Sequence, residues 1–181
     1  MNKQVYPIES YQFSGNDAVL FDANIWLYIY GPLSNISSQY RYAYTLALRR
    51  IRGAKCRICL DPLILSEFIN AYARFFYNKL PLAHKPAEFK IYRNSADFKP
   101  VAEQIARKAQ KILEKCQLTE SSFLSRKMGA ILHEYAGGDA DFNDQMLAEL
   151  CRANNLKMVT HDADFSFSNL TILTANPKLL T

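Results

Sequence analysis

The sequence predicts an α/β fold built around a parallel sheet, and three features point to it. The short continuous apolar run AVLF at 18–21 and the short, mainly apolar run LKMVT at 156–160 have the character of buried strands. Amphipathic helical stretches separate them. Both runs lead directly into carboxylates, Asp22 and Asp162. Burying an unpaired carboxylate costs several kcal/mol or shifts its pKa. In open parallel sheets the place that accepts such a group is the carboxyl end of a strand, where ligands bind.

The stretch AVLFDANIWLYIY, residues 18–30, organises the rest of the chain. Asp22 and Asn24 interrupt an otherwise apolar segment, and Asp22 either caps the following helix or belongs to a site. The preceding residues 1–15 give no clear element. A short helix or turn after Asp22 stops at Gly31-Pro32. The next helix, SQYRYAYTLALRRIRG, is capped by Ser37 or Ser38 and ends at Gly53, with Tyr44, Leu48 and Ile51 at helical spacing. Arg49, Arg50 and Arg52 in its last turn complement the helix dipole.

Residues 55–60 read as a second strand. Asp61-Pro62 then starts a helix, with Asp as the cap and Pro at the first helical position. Glu67 falls in its second turn, close to the end of the preceding strand. Residues 80–99 read as an irregular insertion, and Asp97 and Pro100 open another helix. A further helix spans about 122–135 and breaks at Gly137-Gly138. In the last third, Asp141 is an N-cap candidate, Asp144 lies in the first turn, and Asn154-Asn155 ends the helix. The strand LKMVT runs into His161-Asp162-Ala163-Asp164, and LTILT at 170–174 is a final strand.

A length of 181 residues suits one domain, 1–181, carrying the 80–99 insertion. Hydrophobic content of 49% and charged content of 22% are ordinary for a globular chain. No targeting segment is visible and no run approaches the ~20 apolar residues that span a bilayer. Four cysteines with a single close pair, Cys56 and Cys59, read as buried structural thiols rather than a zinc site and suit a reducing, cytoplasmic setting. The net charge of +5 mildly favours a polyanionic partner, and about half of the basic side chains fall between Arg41 and Lys99.

In a parallel sheet, strand ends and helix starts share one rim, so Asp22, Glu67, Asp144 and Asp162 can converge. Four anions in one pocket repel, and a divalent cation relieves the repulsion. Hard carboxylate oxygens suit Mg²⁺ or Mn²⁺, one ion or two, rather than Zn²⁺. Two such ions can activate water and stabilise the leaving oxygen of a phosphodiester.

With these pieces in place the chain resembles the PIN-domain nucleases, and most of all the VapC-type toxins of bacterial toxin–antitoxin modules. VLFDANIWLYI, LILSEFINAYAR, DFNDQMLAEL and KMVTHDADF carry the likeness in the family's order, including the spacing between the last two acids. The resemblance implies a three-layer α/β/α sandwich around a parallel sheet of about four or five strands. It also implies a metal-dependent endoribonuclease leaving 5′-phosphate and 3′-hydroxyl ends. Carried over by position, Asp22, Glu67, Asp144 and Asp162 are the catalytic and metal-binding acids, and Asn24 and Thr160 support them. Asp141 either caps its helix or joins the site, and Asp164 faces either water or a second ion.

Partners implied by the resemblance are RNA, an antitoxin and a second copy of the chain. Basic and aromatic residues alternate in Tyr40-Arg41-Tyr42 and Tyr92-Arg93, and Arg74 lies two turns beyond Glu67. This makes Arg41, Arg74 and Arg93 RNA-contact candidates. His84, His133 and His161 read as structural. Two other readings remain open: a phosphatase of the haloacid-dehalogenase type and a non-catalytic PIN-like binding module. The phosphatase usually carries a second Asp two positions after the first, where this chain has Asn24.

Overall fold

A computed structural model describes residues 4–32, 37–119, 128–138, 141–163, 165 and 170–181, apart from the side chains of residues 130 and 134. Its centre is one all-parallel sheet. The strands in chain order are β1 (Gln4–Pro7), β2 (Ala18–Phe21), β3 (Arg57–Leu60), β4 (Gln117–Leu118), β5 (Lys157–Val159) and β6 (Thr171–Thr174). In space they run β1-β6-β5-β2-β3-β4. The sheet thus has six strands where the sequence led to an expectation of four or five. The additions are its two edges. β1 is largely exposed and ends in Pro7, a residue an edge strand tolerates. β4 is only two exposed residues long.

The inner strands are buried on both faces, as their continuous apolar character requires: all four residues of β2 are buried, and Leu20, Phe21, Met158, Val159, Ile172 and Leu173 are sealed from solvent. α1 (Ala23–Tyr30), α2 (Ser38–Gly53), α3 (Pro62–Lys79) and α5 (Lys99–Leu113) pack against one another, whereas α6 (Met128–Ala136) packs on α7 (Phe142–Asn154). The connections β2→β3→β4, which carry α1, α2, α3 and α5, run in one direction and β4→β5, which carries α6 and α7, runs back in the other, so right-handed crossovers put these two groups of helices on opposite faces. The result is the expected three-layer α/β/α sandwich. The short terminal helix α8 (Pro177–Leu180) lies against β1 and β6.

The local signals read from sequence account for most boundaries. Asp61 Oδ1 accepts from the Leu63 amide at 2.8 Å, with Pro62 at the start of α3. Asn155 closes α7 in the left-handed conformation at φ 51°. Ser37 precedes α2 without a side-chain capping bond. Residues 80–99, expected to be irregular, hold a 3₁₀ turn at Leu82–His84, a short helix α4 (Phe89–Arg93) and a second 3₁₀ turn at Ala96–Phe98. Residues 122–127 of the expected helix before α7 lie outside the described residues.

Arg50 has a larger task than complementing a dipole. Its guanidinium donates to the carbonyls of Ile8 (3.2 Å), Glu9 (2.6 Å) and Tyr11 (2.5 Å) and lies over the Phe13 ring. It ties the N-terminal lead, which carries β1, to the end of α2.

Candidate active site

The direction of the chain reverses between β2 and β5: from β2 it moves outward to β3 and β4, and it returns to build β5 and β6 on the other side. This switch point opens a crevice at the carboxyl ends of the two strands. Phe21 pairs with Val159, and the Asp22 amide donates to the Val159 carbonyl at 3.0 Å. Asp22 and Thr160 therefore leave the sheet side by side.

Asp22 occupies the N-cap position of α1 yet makes no side-chain capping bond. Its carboxylate turns to the neighbouring strand end instead. The Thr160 hydroxyl donates to Asp22 Oδ2 at 2.7 Å, and the Asn24 amide donates to the same oxygen. Asn24 Nδ2 also reaches Thr160 Oγ1 at 3.2 Å, and Asn24 Oδ1 accepts from the His161 amide at 3.2 Å. The Asp162 amide closes the network on Thr160 Oγ1 at 3.1 Å. Asn24 and Thr160 thus join the first acid to the backbone of the fourth.

Four further residues hold the 160–162 turn. Tyr44 Oη meets His161 Nδ1 at 2.7 Å and accepts from the Ala175 amide at 3.1 Å. The rings of Tyr28 and Tyr40 pack on the imidazole at centroid distances of 5.0 and 4.3 Å. Asn176 Nδ2 donates to the His161 carbonyl at 2.7 Å. Partial burial lowers the His161 pKa, against the pull of Asp162. No local pattern marks Tyr44 or Asn176 for this role. Asn176 also caps α8, its Oδ1 accepting from the Lys178 amide at 3.0 Å.

The electrostatics bring the remaining acids to this crevice. Asp22 is only 8% exposed, and its pKa rises from 3.8 to about 6. Burial is the main cause, opposed by the Thr160 hydroxyl and reinforced by the charges of Glu67 and Asp162. Glu67 stands at an exposed position of α3, but its carboxyl is also raised, first by partial loss of hydration and then by Asp144, Asp141 and Asp162. Asp144 lies in the first turn of α7, and Asp162 is exposed just beyond β5. Asp141 caps α7, its Oδ1 accepting from the Asn143 amide at 2.8 Å. Asp164 lies outside the described residues.

Among the described residues, no three carboxylate, imidazole or thiol groups are drawn together into a ready-made cation cage. The donors nonetheless suit a hard divalent cation. They are oxygen-only, they repel one another, and Mg²⁺ is commonly held through one or two carboxylates with water completing the shell. The four cysteines are free thiols, three of them buried, and none belongs to this crevice's hydrogen-bond network.

The basic candidates divide. Arg41 donates to the carbonyls of Ile29 (3.5 Å) and Gly31 (3.2 Å), tying α1 to α2. Arg74 lies over the Phe89 ring at 5.0 Å, and Arg93 is exposed on α4.

A family model described as PIN domain matches residues 19–169. No curated protein and no solved structure gives a significant match. Among the described residues, no helix is long and apolar enough to cross a membrane.

Proposed function

The chain belongs to the PIN-domain family, whose fold is of nuclease type, and from that premise we propose that it is an Mg²⁺- or Mn²⁺-dependent endoribonuclease. One observation carries the reading. A buried carboxylate, Asp22, sits at the switch point of the sheet, oriented by Thr160 and Asn24 and raised by the charges of Glu67 and Asp162. Such an arrangement costs stability unless a cation or a proton offsets it.

In this reading Asp22, Glu67, Asp144 and Asp162 hold one or two divalent ions, and Asp141 keeps its capping role. A bound ion would supply acidification of a water and stabilisation of charge on the leaving oxygen. Thr160 and Asn24 fix the orientation of the Asp22 carboxylate through Oδ2. The 160–162 turn, fixed by Tyr44 and Asn176, sets Asp162 beside it. Water adds to phosphorus, the bond from phosphorus to the 3′-oxygen breaks, and the products carry a 5′-phosphate and a 3′-hydroxyl. End chemistry tests this directly. Fragments should be substrates for 5′-phosphate-dependent ligation without prior kinase treatment. Fragments with 2′,3′-cyclic phosphates would refute the proposed hydrolysis.

The finer reading is the toxin of a type II toxin–antitoxin module, acting in the cytoplasm as one domain and pairing with an antitoxin and a second copy of the chain. It rests on the VapC-like order of the four motifs. Induced expression in a bacterial host should arrest growth for the parent chain and not for Asp22→Asn. Equal growth of the two would remove the toxin reading.

A further inference from the structure

Glu67 and Arg74 are seven residues apart on α3, which is two helical turns. They therefore share one face, with Arg74 ~10 Å farther from the helix start. Asn78 continues the same stripe, and Lys85 of the following segment reaches Asn78 Oδ1 at 3.5 Å. A single helix face thus runs from the acidic crevice to the 80–99 segment.

That segment and the end of α3 are strongly basic. Between residues 74 and 99 stand Arg74, Lys79, Lys85, Lys90, Arg93 and Lys99, against the acids Glu88 and Asp97. Among the described residues none of these six cations makes an ion pair. Several are held by aromatic rings instead. Arg74 lies over Phe89 at 5.0 Å, Lys85 over Tyr77 at 4.5 Å and Lys79 over Phe75 at 5.7 Å. A ring positions a cation without cancelling its charge, so the charge stays available to an anion. The rings are themselves anchored: Tyr77 Oη donates to the Pro86 carbonyl at 2.7 Å and packs against Phe89 and the buried Tyr92.

We propose that this stripe and the 80–99 segment form the track that holds the flanking strand of the nucleic-acid substrate, with Arg74 and Lys85 as its phosphate ligands. The track rests on the nuclease reading of the crevice and adds to it a direction for the substrate, along α3 away from Glu67. Cations carried on rings, spaced along a helix face, match a flexible phosphate backbone.

The test uses the full chain as Asp22→Asn in chelator, so that binding is read without turnover. Anisotropy of a labelled single-stranded oligouridine is followed across a potassium chloride series. Arg74→Gln and Lys85→Gln should each weaken binding by ~3- to 10-fold and reduce the slope of log K against log salt by about 0.7. Arg74→Lys should stay near the parent, and Arg152→Gln, a cation on α7 paired with Glu149, should change neither quantity. Thermal melts confirm that each variant is folded. In the catalytic background the same substitutions should raise KM and leave kcat nearly unchanged.

Affinity and salt slope equal to the parent in the double Arg74→Gln/Lys85→Gln variant would overturn the track. If the wild-type chain still cleaved, the nuclease reading would stand without it. A parent that neither binds nor cleaves would remove both. Polyglutamate competing as well as RNA at equal charge would also overturn the track, in favour of an acidic protein partner.

Discussion

Replacing Asp22 by Asn should stabilise the cation-free protein, by an amount that depends on pH in a defined way. The carboxyl of Asp22 is raised from 3.8 to about 6 by burial and by the charges of Glu67 and Asp162. Below pH 3.8 the group is protonated in both folded and unfolded chains and contributes nothing. Between 3.8 and about 6 the unfolded chain ionises first, so stability falls as pH rises. Above about 6 the full cost is present, and a displacement of this size corresponds to about 3 kcal/mol. Asn keeps a carbonyl oxygen to accept from Thr160 and Asn24, and it carries no charge at any pH. Asp22→Asn should therefore melt about 5–10 °C above the parent at pH 7.5 in chelator, with the gap closing toward pH 4. Mn²⁺ should narrow the gap by stabilising the parent alone. Calorimetry across pH 4.5–8 reads both effects. A variant no more stable than the parent at pH 7.5, or a gap of constant size at every pH, would refute the reasoning.

Arg50→Met removes all three bonds to the carbonyls of Ile8, Glu9 and Tyr11, and should cost about 2–4 kcal/mol in urea unfolding. Hydrogen exchange should show β1 protection lost before that of β2. Tyr44→Phe strips the 160–162 turn of its contact to His161 and leaves the Ala175 amide without its acceptor. It should cost about 1–2 kcal/mol and speed amide exchange at His161 and Asp162, and unchanged exchange would show that Tyr44 does not hold the turn. Burial raises all four thiols, Cys116 to about 12. No thiol should react quickly with a disulfide reagent at pH 8 until the chain unfolds.

The inner sheet and the position of the candidate site were legible because each rests on a local pattern. AVLF is apolar throughout and KMVT has Met158 and Val159 side by side, a pattern that suits strands covered on both faces. Their terminal acids mark the rim that a parallel sheet must have. Asp61 and Asn155 declared helix ends through their own side-chain or backbone preferences. The edge strands were not legible for the opposite reason. QVYP has no apolar face to reveal it, and β4 is too short to carry a period. Asp22 illustrates a choice that spacing alone leaves open. An Asp before a helix reads as a cap, and only the Thr160 hydroxyl arriving from β5 shows that its carboxylate turns elsewhere. Arg50 is similar, since a cation at a helix end satisfies the dipole whether or not it also clamps a distant segment. Tyr44 meets His161 across 117 residues, a separation no local pattern encodes.

The central claim, that the crevice at Asp22 hydrolyses RNA with a divalent cation, is tested most directly by incubating the purified chain with a mixed RNA pool. The conditions are Mg²⁺ or Mn²⁺, chelator, and the Asp22→Asn variant. The account predicts endonucleolytic fragments with either ion, none in chelator, and none from the variant. Folded protein that neither cleaves the pool nor binds Mn²⁺ would contradict it.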